Sequence, residues 1–267
     1  MPLVSAAILP HGTQAIPMFN EGKADFSDVT RGMRKAASVV NGASPQTVVV
    51  ASPHNLRIDG KMAVVRTEFC GGRLEEGKIA LPLAWKCDLD LAGSIFRLAT
   101  DRGLPVVSVN YGTSGGPESR MPLDWGTLVP LWFLRRRVKV VLVTPSREIP
   151  WKDLASMGHC IAEAARASSR RVAFVASADQ GHAHLRSGPY GFDRASEEYD
   201  GKMLSAVRAG KLERLLSFSP EFVESAKPDS FWQTLILLGA LRASKLKLAA
   251  CSYSCPTYFG LLSAAYV

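Results

Sequence analysis

Short apolar runs alternate with longer segments that mix apolar and polar residues along most of the chain. Apolar runs of about four to seven residues predict buried strands, and they lie at 3–9, 47–51, 106–109, 138–143 and 171–176. Apolar residues at helical spacing predict amphipathic helices, at 28–41, 89–102, 151–168 and 197–209. Because strand and helix alternate, we expect an α/β fold with a central, mostly parallel or mixed β-sheet flanked by helices on both faces. No repeat or break in composition interrupts the pattern, so we expect a single domain over residues 1–267.

Four segments are less regular. Residues 58–85 alternate in short stretches, which predicts an antiparallel excursion or flap with a turn at Gly71-Gly72. Residues 111–119 are rich in Gly and Ser and predict a mobile loop, a common location of functional residues. Residues 128–134 predict a helix with Pro130 in its first turn. Asp229 is expected to begin an apolar helix that ends near Leu241.

The composition is that of an ordinary globular protein with a moderate positive charge. The net charge of +8 comes from 32 basic and 24 acidic residues, and the basic residues form only short clusters, such as 135–137 and 170–171. No aromatic residues interleave with them, so we expect no nucleic-acid partner and, at most, a weak preference for anionic substrates.

The cysteines and the apolar runs indicate the cellular compartment in which we expect the protein. The five cysteines form no Cys-x-x-Cys pair, and their odd number fits a reducing environment better than a disulfide framework. The longest apolar run, 235–241, is too short to span a bilayer, and the N-terminus lacks the pattern of a signal peptide. We therefore expect a soluble, cytoplasmic protein without a membrane partner.

Three of the five histidines follow predicted strands. His11 and His54 each come directly after a proline that ends a strand, and His182 follows the strand at 171–176. Ligands of open α/β sheets bind at the carboxyl ends of the strands, and histidines held there could bind a divalent metal. Two histidines with one carboxylate leave positions open for substrate, as in non-haem Fe(II) oxygenases. A histidine after a strand is more often structural, so the residues alone leave both interpretations open.

Five short motifs occur in a characteristic order. They are Ile-Leu-Pro-His-Gly at 8–12, Ser-Pro-His at 52–54, Leu-Asp-Trp-Gly-Thr-Leu-Val-Pro-Leu at 123–131, Ser-Ala-Asp-Gln-Gly-His at 177–182 and the segment 224–241, which ends in Leu-Leu-Gly-Ala-Leu. Together they resemble the class III extradiol ring-cleavage dioxygenase superfamily, the LigB-like catalytic-subunit type to which Memo and DOPA-type enzymes are related. The resemblance covers nearly the whole chain and implies the LigB-like α/β fold.

The resemblance implies a metal site. His11 and His54 match the two histidine ligands of the family, and Asp229 is the best match to the third ligand near the start of the last helix. Glu224 is the second choice, and Asp229 as a plain helix cap is the structural alternative. The implied cofactor is Fe(II), although the isolated protein could carry Zn or Mn.

The resemblance also assigns residues around the metal. His182 matches the histidine that serves as acid and base, and Asp179 would orient it or cap the turn before it. Trp125 stands where the family motif usually has a histidine, and an indole N–H can neither accept a proton nor bind a metal. We expect Trp125, His184 and Tyr190 to contact substrate, with plain packing as the alternative for Trp125.

The implied activity is Fe(II)-dependent extradiol cleavage of a catechol-like aromatic, with an aromatic diol and O₂ as the small-molecule partners. The altered motif at Trp125 leaves open a Memo-like metal-binding or regulatory protein on the same fold. A zinc-dependent hydrolase, in which metal-bound water attacks an ester or amide, is a third interpretation. The resemblance also allows a homodimer.

Overall fold

The computed structural model describes residues 3–20, 25–134 and 137–267, so Arg135 and Arg136 of the basic cluster at 135–137 lie outside the described residues. The strands are β1 (Leu3–Leu9), β2 (Thr47–Ala51), β3 (Met62–Val65), β4 (Phe69–Glu76), β5 (Ile79–Lys86), β6 (Val106–Val109), β7 (Arg120–Leu123), β8 (Lys139–Thr144), β9 (Val172–Ser177), β10 (Leu248–Ser254) and β11 (Leu261–Tyr266). The α-helices are α1 (Ser27–Gly42), α2 (Leu89–Asp101), α3 (Trp125–Phe133), α4 (Trp151–Ala167), α5 (Arg194–Ala209), α6 (Pro220–Ala226) and α7 (Phe231–Arg242).

The main sheet has the strand order β10-β11-β1-β9-β2-β8-β3-β6. Strands β1, β9, β2 and β8 are neighbours and run parallel, whereas β11 and β3 join this group in antiparallel pairs. The result is the expected α/β fold with a mixed sheet. Because four adjacent central strands point the same way, their carboxyl ends lie side by side along one edge of the sheet.

Helices cover both faces of this sheet, which explains why its central strands are apolar throughout. All five residues of β2 are buried. Val49 contributes to a core that α2, α4, α5 and α7 cover. Val48 and Val50 contribute to a second core, formed with α1, α3 and the small sheet. Alternate side chains of one strand therefore enter different cores, as the pleat requires.

Helices α4 and α7 approach each other closely through two glycines. A Cβ atom added to Gly239 would lie 1.7 Å from the carbonyl oxygen of Ala155, and one added to Gly158 would lie 1.8 Å from that of Ile236. Neither position has room for a side chain, so the glycines set the distance between the two helices. This contact fixes α7, whose first turn follows Asp229.

A second sheet, of order β5-β4-β7, contains β4 and β5 of the excursion expected at 58–85, whereas β3, in the same range, belongs to the main sheet. Strands β4 and β5 are antiparallel, as expected, but the prediction of a turn at Gly71-Gly72 was wrong. Both glycines lie inside β4, and the turn follows Glu76 and includes Gly77, whose φ is 58°. A Cβ atom on Gly72 would lie 2.1 Å from the carbonyl oxygen of Leu123, so the pair allows close strand approach.

Several helix boundaries in the structure also differ from the predicted ones. Helix α3 starts at Trp125 because the N–H groups of Thr127 and Leu128 already bond to the carbonyl of Asp124, which leaves Pro130 inside the helix rather than in its first turn. Asp229 precedes α7, and the residue before the helix is Ser230. The loop expected at 111–119 is confirmed as a segment between β6 and β7. None of the helices in the described residues has both the length and the apolar character needed to cross a membrane.

Candidate metal centre

Three of the predicted site residues meet at the edge where the central strands end. His11 follows β1 and His54 follows β2, and the two strands flank β9. One potential ligand atom from each of His11, His54 and Asp229 lies within 4.8 Å of the other two. The rings of His11 and His54 are perpendicular, with centroids 4.9 Å apart. The strand order therefore brings together residues that are far apart in the sequence.

The hydrogen bonds around His11 determine which of its nitrogens is free. Ser177 Oγ donates its only hydrogen to the carbonyl of Gly126 and lies 2.9 Å from His11 Nδ1. The hydroxyl must therefore accept from Nδ1–H, which leaves the lone pair on Nε2. His11 is 2% exposed, and burial together with the nearby His54 lowers its pKa to about 3. A neutral imidazole with a free Nε2 is suited to metal binding.

Asp179 contacts His11 through both of its carboxylate oxygens. Its Oδ1 accepts a hydrogen bond of 2.8 Å from the backbone N–H of His11, and its Oδ2 lies 3.4 Å from His11 Nε2. Burial raises the pKa of Asp179 to about 7, against the opposing effects of His182 and the His11 backbone N–H. Because the low pKa of His11 keeps its ring neutral, the 3.4 Å contact is not an ion pair. In the structure Asp179 fixes the turn that carries His11.

The segment that carries His54 is held by residues that the sequence analysis did not single out. Asn55, in the left-handed region with φ of 70°, accepts from the Asp124 N–H at 2.8 Å and donates its own N–H to Asp124 Oδ2 at 2.6 Å. A Cβ atom on Gly126 would lie 2.7 Å from His54 Cδ2, so the first turn of α3 packs directly against the ring. The Asp-x-Gly part of the motif at 123–131 was the available signal.

Asp229 is anchored through its backbone to the end of β9. Its N–H donates to the carbonyl of Asp179 at 3.0 Å, and its own carbonyl accepts from the side chain of Gln233, one turn into α7. Its Oδ2 lies 3.7 Å from His54 Nε2. Glu224, the second choice, is an exposed residue of α6 that lines the cleft outside this cluster.

His182 lies at the side of the same cluster. Its Nδ1 is 2.7 Å from the carbonyl oxygen of Gln180, which can only accept, so Nδ1 carries the hydrogen. Its Nε2 lies 4.0 Å from Asp229 Oδ2. The ring stacks on Phe259, with centroids 5.3 Å apart and an interplanar angle of 12°. Sequence reasoning missed Phe259, which holds the ring of His182 in this orientation.

A cleft of about 780 Å³ opens over the cluster, and its lining includes His54, His182, Asp229 and the expected substrate residue Tyr190. Trp125, 47% exposed, packs its ring against His54 with centroids 4.7 Å apart. Arg147, which follows β8, is the main addition to the predicted site. Its Nη2 lies 2.6 Å from Asp229 Oδ1.

The imidazole of His184 is engaged elsewhere, since its Nε2 lies 2.9 Å from Oδ2 of the buried Asp200. Asp200 also accepts from the backbone N–H of Gly181 and the hydroxyl of Tyr253. Burial lowers the pKa of His184, but hydrogen bonds to Asp200 and Cys255 outweigh it and raise the pKa to about 10. His184 is not among the residues described as lining the cleft. Its contact with substrate stays a prediction.

The donor set fits a divalent metal. Two imidazoles and one carboxylate oxygen are the ligands that Fe(II), Zn(II) and Mn(II) accept in proteins, at about 2.0–2.2 Å. The neutral His11, with its free Nε2, requires no deprotonation before binding. The cluster opens into the cleft, so further ligand positions would face a substrate.

Comparison with known proteins finds similarity over most of the chain. Protein CA_C1420 of Clostridium acetobutylicum is 24% identical over 251 residues, which cover 92% of this chain and 53% of that protein. The chain thus spans about half the length of this curated relative. The crystal structure of uncharacterized protein JW3007 from Escherichia coli K12 superposes with a TM-score of 0.58 at 16% identity, over 98% of this chain and 99% of the other. At that identity the likeness shows the fold alone.

A family description, the catalytic LigB subunit of aromatic ring-opening dioxygenase, matches residues 5–265. The match includes all the motifs named above and all the residues of the candidate metal centre. The chain therefore belongs to the LigB family of aromatic ring-opening dioxygenase catalytic subunits.

Proposed function

We propose that this protein is an Fe(II)-dependent extradiol dioxygenase that opens a catechol-like aromatic ring with O₂. The observation that carries the proposal is the grouping of His11, His54 and Asp229 within 4.8 Å at the base of an open cleft. Family membership supports ring-opening chemistry in general. Two histidines and one carboxylate support Fe(II) as the native metal, because three such protein ligands would leave positions for other ligands.

In this proposal the protein supplies the ligands and the cleft, and the metal supplies the redox chemistry. His11, His54 and Asp229 would hold Fe(II), which would supply the redox chemistry between a diol and O₂. The cleft of about 780 Å³ lies in the size range of small-molecule sites. Its aromatic lining, including Tyr190 and Trp232, suits a flat ring.

His182 would move the protons. A catechol must lose hydroxyl protons to bind a metal through both oxygens, and a proton must return as the ring opens. With Nδ1–H held by the Gln180 carbonyl, the Nε2 atom is free to accept a proton from a substrate hydroxyl and to return it. Asp179 would support the turn that carries His11 through its carboxylate, and it would support the turn before His182.

The test combines metal stoichiometry with O₂ consumption. Anaerobic Fe(II) titration of the wild type is expected to give about one tight site per chain, and His54→Ala or Asp229→Ala should weaken it on the order of 10–100-fold or more. An oxygen electrode with a panel of catechols should then detect turnover in the wild type but not in His54→Ala or Asp229→Ala. His182→Gln should bind Fe(II) normally and lose roughly 10²–10⁴-fold in turnover.

His159→Gln is the matched control, because His159 is exposed on α4, outside the cluster. If the wild type binds no metal, or if His54→Ala and Asp229→Ala bind it as tightly as the wild type, the proposed site is wrong.

One observation favours a second candidate, a metal-binding or regulatory protein on the same fold. Trp125 occupies the position of the usual family histidine and covers part of His54 with an aromatic ring. Tight metal binding without O₂ consumption across the catechol panel would support this candidate over the dioxygenase.

A further inference from the structure

Arg147 reaches the candidate metal centre from the fourth of the adjacent parallel strands. It lies three residues after β8, which pairs with β2 in the sheet. Its Nη2 atom is 2.6 Å from Oδ1 of Asp229, a residue 82 positions away in the sequence. A charge-assisted contact of this length is among the stronger hydrogen bonds in proteins.

A second contact holds the same guanidinium. Its Cζ atom lies 4.3 Å from the ring centroid of Trp232, which is at the start of α7. Asp229 and Trp232 are three residues apart, so one short segment supplies both the carboxylate and the aromatic surface. An arginine placed over an indole ring is stabilised there by the ring electrons. Although its side chain is 41% exposed, Arg147 is thus held on two sides.

The contact divides the two oxygens of Asp229 between different partners. Oδ1 faces Arg147, whereas Oδ2 faces His54 Nε2 at 3.7 Å and His182 Nε2 at 4.0 Å. Oδ2 is thus the oxygen that lies within 4.0 Å of both histidines. A carboxylate held in this way can offer one oxygen to a metal while the other stays with the arginine.

We propose that Arg147 is a positioning residue that orients Asp229 to bind the metal through Oδ2 alone. This inference rests on the proposed metal site. Binding through one oxygen leaves one more position at the metal for substrate or O₂ than binding through both. Residues that orient a metal ligand in this manner commonly affect metal affinity nearly as much as the ligands themselves.

A purely electrostatic role for Arg147 predicts the opposite change in metal affinity. An arginine that merely neutralises Asp229 competes with a cation, so its removal would tighten metal binding. An arginine that positions the carboxylate increases affinity in spite of its charge, so its removal would weaken binding. The sign of the change therefore separates the two roles.

The experiment is a metal-only titration with Fe(II) under anaerobic conditions and with Co(II), whose visible absorption reports its coordination. Arg147→Gln is expected to weaken binding on the order of 10–100-fold and to alter the Co(II) spectrum. Arg57→Gln is the matched control, because Arg57 lines the same cleft without an ion pair to Asp229 in the described part of the chain. It should change affinity by no more than about fivefold and leave the spectrum unchanged.

Trp232→Leu provides a second variant that changes no charge. It removes the aromatic surface under Arg147 and should weaken metal binding less than Arg147→Gln does. Unchanged or tighter metal binding by Arg147→Gln, with a wild-type Co(II) spectrum, overturns the inference while the metal site stands. Absence of metal binding by the wild type instead overturns the proposed function, so the two failures are distinguishable.

Discussion

At the scale of single residues, hydrogen bonds decide which atoms remain free for chemistry. The hydroxyl of Ser177 accepts a hydrogen bond from Nδ1–H of His11, and the carbonyl of Gln180 accepts one from Nδ1–H of His182. Both rings therefore have Nε2 free, although one is a candidate ligand and the other a candidate acid and base. Identical side chains are candidates for different roles because His11 is buried beside His54, whereas His182 lines the cleft.

The pair formed by His184 and Asp200 gives a pH-dependent prediction at this scale. The pKa of His184 rises from 6.5 to about 10 on folding. A raised folded-state pKa contributes stability that is fully present below about pH 6.5 and is lost as the pH rises towards 10. Both side chains are largely buried, so removing one leaves an uncompensated partner.

His184→Gln should therefore lower the free energy of unfolding by about 3 kcal/mol at pH 6.5, with a smaller loss at pH 10. Urea unfolding at both pH values measures the difference between wild type and variant. His159→Gln serves as the control and should show a small, pH-independent effect. An equal loss for His184→Gln at both pH values would contradict the assigned charge of this histidine.

At the scale of elements, the position of α7 controls the position of Asp229. The residue lies just before the helix, and Gln233 in the first turn bonds to the carbonyls of both Asp229 and Ser177. The other side of α7 packs on α4 through Gly158 and Gly239. A change in the distance between α4 and α7 should therefore also move Asp229.

Gly239→Ala tests this dependence. The added methyl group would lie 1.7 Å from the backbone oxygen of Ala155, so the two helices must separate, at a cost of about 1–3 kcal/mol or more in stability. Metal affinity should fall as well, because Asp229 moves with α7. Chemical unfolding and metal titration measure the two effects.

Gly201→Ala in α5 is the matched control, since nothing lies within 4 Å of the added Cβ atom there. It should stabilise the protein by about 0.5–1 kcal/mol, as alanine does in helices. Loss of stability in Gly239→Ala with unchanged metal affinity would show that α7 does not control the site.

At the scale of the whole molecule, the candidate ligands connect distant parts of the chain. His11 and His54 follow two strands of the main sheet, and Asp229 precedes the last helix. An unfolded chain does not hold these three residues together. Metal binding should therefore favour the folded state by mass action.

Metal at about 100 times its dissociation constant should add roughly 2.7 kcal/mol of stability, which corresponds to a rise of about 5–10 °C in the melting temperature. Calorimetry of the wild type with metal and with EDTA measures the shift. His54→Ala is the control and should show little shift. A wild-type melting temperature that does not respond to metal would contradict the site.

Much of the fold could be predicted because the relevant signals are local, whereas the site residues were predicted from the resemblance to a known family. Strands and helices follow from periodicity within short windows, and the strand at 47–51 and the helix at 28–41 were placed almost to the residue. The grouping of His11, His54 and Asp229 agrees with the motif-based prediction. Whether these residues bind a metal stays a proposal.

The alternation of strand and helix, and the polar residues after several strands, can be recognised in the amino-acid sequence, because both depend on neighbouring residues. The folded structure was needed to show that β9 lies between β1 and β2, that Arg147 contacts Asp229 and that His184 faces Asp200. It was also needed to show that Gly71-Gly72 serves strand packing rather than a turn. These contacts join residues far apart in the chain, such as His11 and Asp179 at a separation of 168, and depend on strand order and helix spacing, which no local pattern specifies.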